Sequence, residues 1–195
     1  MGNLSVQQVT KNLWLAMLVQ AGASVLAALL LMCGLAFPLT GGILDLLTIF
    51  AAPMTLIVAI LNLVAWGATI WFLISLGNWK KVADANDVPA IKKLWLGNLL
   101  IIIGGVVSFL IPVAGWILGP LVALAGWIIN LLGVLALKKS TTLHAGGVQG
   151  MNLIFIAIIL SVAAGVLAFV PVLPSLLGIA SWVLLVLGWK KVAEA

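Results

Sequence analysis

Residues 92–139 constrain this chain more than any other stretch. They read KKLWLGNLLIIIGGVVSFLIPVAGWILGPLVALAGWIINLLGVLALKK, with 44 uncharged residues between the flanking lysine pairs. The sequence IPVAG at 111–115 breaks the run near its middle. About 20 apolar residues cross the hydrocarbon core of a bilayer as a helix. Two such lengths joined by a Pro-containing turn predict a transmembrane helical hairpin. A spanning backbone must satisfy its own hydrogen bonds, which leaves helices or closed barrels. Barrel strands alternate lipid-facing and lumen-facing residues. LLIIIGGVVSFLI does not alternate, so the expected fold class is all-α.

The rest of the chain has the same solvent. Of 195 residues, 65% are hydrophobic and 7% are charged, whereas a soluble domain has about 25% charged residues. Mean hydropathy is +1.38. The first apolar stretch, 13–37, exceeds the 7–15 residues of a signal-peptide core, so no cleavable leader is expected. Val6 stands where the myristoylation pattern needs Ser or Thr. Cys33 lies in an apolar run and reads as a buried, inert thiol. No metal-ligand spacing surrounds it.

Six spans are expected, at 13–36, 53–78, 94–111, 116–137, 151–170 and 175–189. Residues 1–12 are polar and read as amphipathic or frayed. Residues 43–52 are too short to cross and hold Asp45; they read as an interfacial or re-entrant piece, with the second span starting near Pro53. Gly146, Gly147 and Gly150 read as breakers in the loop at 138–150. The chain has nine lysines and no arginine, and its net charge is +5. Every lysine falls at 11, 80–81, 92–93, 138–139 or 190–191, on one side of a six-span topology. The positive-inside rule makes that side cytoplasmic, with both termini inside and the protein in the cell (inner) membrane. Trp14, Trp79, Trp95, Trp116 and Trp189 read as interfacial anchors. Trp66, Trp71, Trp127 and Trp182 lie within even-numbered spans.

The unit recurs. FPLTGGILD (37–45), IPVAGWILG (111–119) and VPVLPSLLG (170–178) align on Pro and Leu. LGNWKKVADA (76–85) and LGWKKVAEA (187–195) align at the lysine ends, with a looser match at LALKKSTT (135–142). One membrane domain over 1–195 built from three αα-hairpin repeats, at about 12–81, 92–139 and 150–191, is therefore expected. Lys190 follows the turn Leu177 by only 13 positions, so the sixth helix is expected barely to span. On these turns and basic helix ends, residues 94–139 and 151–191 resemble small prokaryotic multi-pass membrane proteins whose function is uncharacterised. The resemblance implies fold and location, and no chemistry.

No Asp, Glu, Lys, Arg or His lies in an expected span. Ion-coupled transport and acid–base catalysis rely on such residues, so the reading is non-enzymatic, with no cofactor and no metal. Neutral polar groups remain. Asn62 with Trp66, and Trp127 with Asn130, share helix faces, and Gln20 and Asn98 sit in odd helices. They read as interhelical hydrogen-bonding groups or as the lining of a cavity for a neutral solute, and either use requires Asn62 and Asn130 to face protein. Ala23 with Ala27, Gly104 with Ser108, and Ala157, Ser161 and Gly165 read as close-packing faces. Lys80, Lys81, Lys92, Lys93, Lys138, Lys139, Lys190 and Lys191 read as contacts to anionic lipid. His144 reads as a solvated loop residue, and Asp45 as a helix cap. Membrane lipids, a homo-oligomer or other membrane proteins are the expected partners, and nucleic acid is not. The expected role is structural or accessory, packing with itself or a larger complex. The alternative is an uncoupled channel or a solute-binding transporter subunit for a neutral or lipophilic molecule.

Overall fold

A computed structural model describes the backbone of residues 5–36, 44–111, 115–140, 143–167 and 173–195. Side chains are described within these segments except at 31–36, 44–54, 109 and 116. The Pro-containing outer turns therefore lie largely outside the described residues, as do the side chains of Cys33, Asp45 and Trp116.

Among the described residues, six helices follow one another: α1 Val6–Ala36, α2 Leu44–Val82, α3 Val88–Leu110, α4 Gly115–Leu137, α5 Ala145–Val166 and α6 Leu173–Glu194. All six hold a segment long and apolar enough to cross a membrane. Their surfaces are apolar too: Leu63 is 71% exposed, Val166 68% and Ile117 67%. Such a surface is stable in hydrocarbon and not in water, which makes this a multi-pass membrane protein.

Five boundaries differ from the sequence reading. α3 starts at Val88 rather than 94, so Lys92 and Lys93 lie in its first two turns. α1 starts at Val6 and includes the polar N-terminal segment, because Val9 and Thr10 are buried. The Thr10 hydroxyl donates to the Val6 and Gln7 carbonyls, so its polarity is satisfied within the helix. α2 is continuous from Leu44, so residues 44–52 are its first turns and no separate re-entrant piece. Its 39 residues reach about 58 Å at 1.5 Å each. Pro53 lies inside it, and Pro120 lies inside α4. α5 starts before Gly146, Gly147 and Gly150, which act as contact points rather than breakers. α6 has 22 residues, about 33 Å, of which about 26 Å precede Lys190, so it begins before the turn residue Leu177 and is long enough to cross a membrane. Its lysine-bearing end stays helical, with Lys190 and Glu194 paired at 3.7 Å, one turn apart.

Each helix packs on its neighbours in chain order, and α6 returns to α1. No other pair comes into backbone contact among the described residues. The closest partnerships are α3 with α4, α5 with α6 and α1 with α2. Among the described residues, a core shared by all six forms towards the lysine end. It contains Leu13 and Met17 of α1, Phe72, Leu76 and Trp79 of α2, Ile91 and Leu94 of α3, Val134 and Leu137 of α4, Met151 and Ile154 of α5, and Trp189 and Val192 of α6.

Candidate functional site

Glycine decides how closely the helices of a pair approach. On α3 and α4, a Cβ at Gly97 would sit 2.6 Å from the Asn130 nitrogen, and one at Gly126 would sit 2.6 Å from the Gly97 carbonyl oxygen. Gly104 and Gly119 face each other in the same way. Backbone touches backbone along this seam, which only small residues permit. α5 and α6 repeat the device at Gly150 and Gly188, where an added Cβ at Gly150 would lie 2.5 Å from the Gly188 carbonyl oxygen. Above that contact, the Ser181 hydroxyl donates to the Ala157 carbonyl at 2.8 Å and lies 2.6 Å from the Ser161 hydroxyl. Gly104, Ser108, Ala157 and Ser161 are thus used inside the single chain. Ala23 and Ala27 are buried as well. Gly165 is the exception: it is exposed, with open space where a Cβ would point.

The neutral polar residues do not converge. Asn130 is buried at the α3–α4 seam, and Trp127 is half-buried beside the core. Asn62 is exposed and has no hydrogen-bond partner among the described residues, and Trp66 is 44% exposed. The backbones of α2 and α4 do not come into contact among the described residues. The expectation that Asn62 faces protein fails in the single chain, because the buried stripe of α2 runs through Val58, Ala68 and Phe72, about a quarter-turn away. Asn98 donates to the Leu94 carbonyl at 2.8 Å and so serves its own helix, as Ser108 does with Gly104. Gln20 is half-buried.

The tryptophans largely exchange roles. Trp79 and Trp189, read as interfacial anchors from their neighbouring lysines, are 2% and 3% exposed. The Trp189 ring meets Phe72 edge-on at 5.2 Å and Trp79 at 6.1 Å. Their rings fill the space where the six helices converge, and T-shaped aromatic pairs of this kind favour a dry, well-packed centre. Trp14 is half-buried, and its indole Nε1 is enclosed without a partner among the described residues. Trp95 remains half-exposed, with the Lys80 ammonium 5.6 Å from its ring. Trp66 and Trp71 are exposed, and Trp182 packs beside the core.

Clefts remain between neighbouring helices, two of them lined by described residues. One, about 190 Å³, lies between α1 and α6 and is lined by Ser24, Val25, Leu29, Ser175, Ile179 and Trp182, among others. The other, about 340 Å³, lies between α2 and α3 at the lysine end and is lined by Leu73, Ile74, Gly77, Asn78, Lys80, Lys81 and Trp95. Neither contains Asn62, Trp66, Trp127 or Asn130. Among the described residues, no cluster of three His, Cys, Asp or Glu side chains is placed to hold a metal.

The lysine end also carries a polar tie that sequence reasoning did not single out. Ser140 donates to the buried carboxylate of Asp87 at 2.8 Å, joining the α2–α3 and α4–α5 connections. The Leu143 N–H donates to the same Ser140 hydroxyl at 3.3 Å. An Asp just before the helix-starting VPA was the available signal, but its partner is 53 positions away. His144 is exposed and immediately precedes α5. Compared with known proteins, the chain matches no family model, no curated protein and no solved structure.

Proposed function

We propose that this is a non-enzymatic structural or accessory protein of the cell membrane that assembles with further copies of itself or with other membrane proteins. The exposed amide of Asn62 carries this reading. It lies within the apolar Thr55–Val82 segment, and the single chain supplies no hydrogen bond to it among the described residues. A carboxamide in hydrocarbon is costly without a partner. A facing helix satisfies it and covers the neighbouring Leu63 and Ile70, which are 71% and 53% exposed. The small-residue seams do not support this reading, since they are consumed within the chain. In the proposed orientation the lysine end is cytoplasmic, both termini are inside, and the three helix pairs are copies of one hairpin.

The test is oligomeric state in lipid nanodiscs. Wild type forms a defined oligomer, and Asn62→Leu weakens it by about threefold, from an interhelical bond of ~0.6 kcal/mol. A wild-type particle that is monomeric in both lipid and mild detergent removes the proposal.

The second reading is a conduit or binding subunit for a neutral, lipophilic molecule. The α1–α6 cleft favours it, since Ser24, Ser175 and Trp182 place polar groups in an otherwise apolar lining. At about 190 Å³, it is smaller than the ~300 Å³ of a typical ligand site. The aromatic packing around Trp189 also closes the lysine end in this conformation. Labelling of a cysteine at position 24, in a Cys33→Ala background, tests this second reading. A membrane-impermeant thiol reagent reaches it if water fills the α1–α6 cleft, and fails to reach it if the cleft is closed to water.

A further inference from the structure

The four lysine pairs are not equivalent. Lys138 lies over the Phe155 ring at 4.6 Å, Lys190 pairs with Glu194, and Lys191 donates to the Gln149 side chain at 3.0 Å. Lys92, Lys93 and Lys139 are exposed and line neither cleft. Lys80, whose ammonium also stands 5.6 Å from the Trp95 ring, and Lys81 border the α2–α3 cleft. Its composition is graded along its length. Leu73 and Ile74 form the apolar end, Gly77 and Trp95 the middle, and Asn78, Lys80 and Lys81 the charged end. A Cβ at Gly77 would meet the Trp95 indole nitrogen at an ordinary 3.7 Å, so the indole N–H lies beside the glycine-lined floor. Lys81 and Asn78 are only 3.5 Å apart, a weak exposed contact that a stronger acceptor displaces.

We propose that this α2–α3 groove binds one anionic phospholipid of the lysine-side leaflet. The phosphodiester accepts from the Lys80 and Lys81 ammonium groups and from the Trp95 indole N–H. The Asn78 amide faces the glycerol region. One acyl chain lies along Leu73 and Ile74, which is 57% exposed. Charge-assisted bonds to phosphate are the stronger kind, and lysines at the end of a span sit at headgroup depth. The missing side chain at Gly77 keeps the groove open. A zwitterionic lipid brings a cation into the same lysine cluster and is disfavoured. This site rests on the membrane placement proposed above, with the lysine end at the headgroups, and does not depend on assembly through Asn62.

Native mass spectrometry of the full chain, released from nanodiscs holding equal phosphatidylglycerol and phosphatidylcholine, tests it. One phosphatidylglycerol per chain is retained. The Lys80→Gln, Lys81→Gln double variant loses retention by about tenfold. Gly77→Leu, which keeps every charge and fills the groove, loses it as well. Lys138→Gln with Lys139→Gln, and Lys190→Gln with Lys191→Gln, leave it nearly unchanged. Equal losses in all three lysine-pair variants, equal retention of phosphatidylcholine, or full retention in Gly77→Leu each overturn the proposal. Displacement by soluble glycerol 3-phosphate overturns it in favour of a free-phosphate site. Insertion of every variant into nanodiscs with wild-type helicity checks the membrane placement separately.

Discussion

α2 and α4 both pair with the helix before them, and both carry an Asn and a Trp within one turn of each other. Their fates are opposite. α4 presents Gly119, Gly126 and Gly133 to α3, and a Cβ on any of them would meet α3 backbone at 3.0 Å or less. That approach buries Asn130. α2 buries Val58, Ala68 and Phe72, while Gly67 faces open space and Asn62 is exposed. A glycine in a hydrophobic helix thus has two uses, and its neighbours on the same helix do not say which. What decides is whether a second backbone is at hand. In lipid this matters more than in water, because burial of apolar area supplies little drive between helices and close van der Waals contact supplies most of it.

The contrast is open to direct attack. The largest effect belongs to Gly126→Leu, which forces α3 and α4 apart against backbone on both sides. It lowers stability in detergent by about 3 kcal/mol, the upper range for overpacking. Gly67→Leu changes it by no more than ~0.5 kcal/mol. Chemical denaturation followed by circular dichroism reads both, and equal effects erase the distinction between the two helices. Next comes Trp189→Ala, which empties the centre of the lysine end and costs about 2 kcal/mol through lost packing. Trp66→Ala, on the exposed side of α2, leaves the unfolding midpoint in place. A robust Trp189→Ala protein returns Trp189 to the membrane interface and opens the lysine end. The smallest effect is Ser181→Ala, which removes both hydrogen bonds of Ser181 to α5 and costs ~0.6–1.7 kcal/mol. Thr69→Ala is close to neutral, because that hydroxyl donates to the Ala65 carbonyl of its own helix at 2.8 Å. A Ser181→Ala variant as stable as wild type makes the glycine contact at Gly150 and Gly188 sufficient for that pair.

Part of this molecule was legible in advance. Charge-free runs bounded by lysines located α3 and α4 to within a few residues of one end or the other. That works because an ionised side chain in hydrocarbon is excluded wherever the helix crosses. The ends of α5 and α6 were misplaced for a related reason. GGVQG and WKKVAE are polar or glycine-rich, yet nothing in them stops a helix once its apolar part is formed. α2 was cut at Pro53 although helices in membranes accommodate proline. The candidate site was less legible still. Lys80, Lys81 and Trp95 read as headgroup-level residues from the sequence, but so do three other lysine pairs.

Sequence alone determined the solvent, the helical class and the number of spans, since these follow from local composition and the thickness of a bilayer. Tertiary structure decided which polar and aromatic residues face inward. Trp79 and Trp189 both adjoin lysine pairs, and proximity to charge predicts the interface. At the lysine end, however, the helices converge, so a residue one turn into the membrane is already at the centre of the bundle. Depth along a helix is written in its composition. Direction around the helix depends on its neighbours, and those were settled only when α6 closed onto α1.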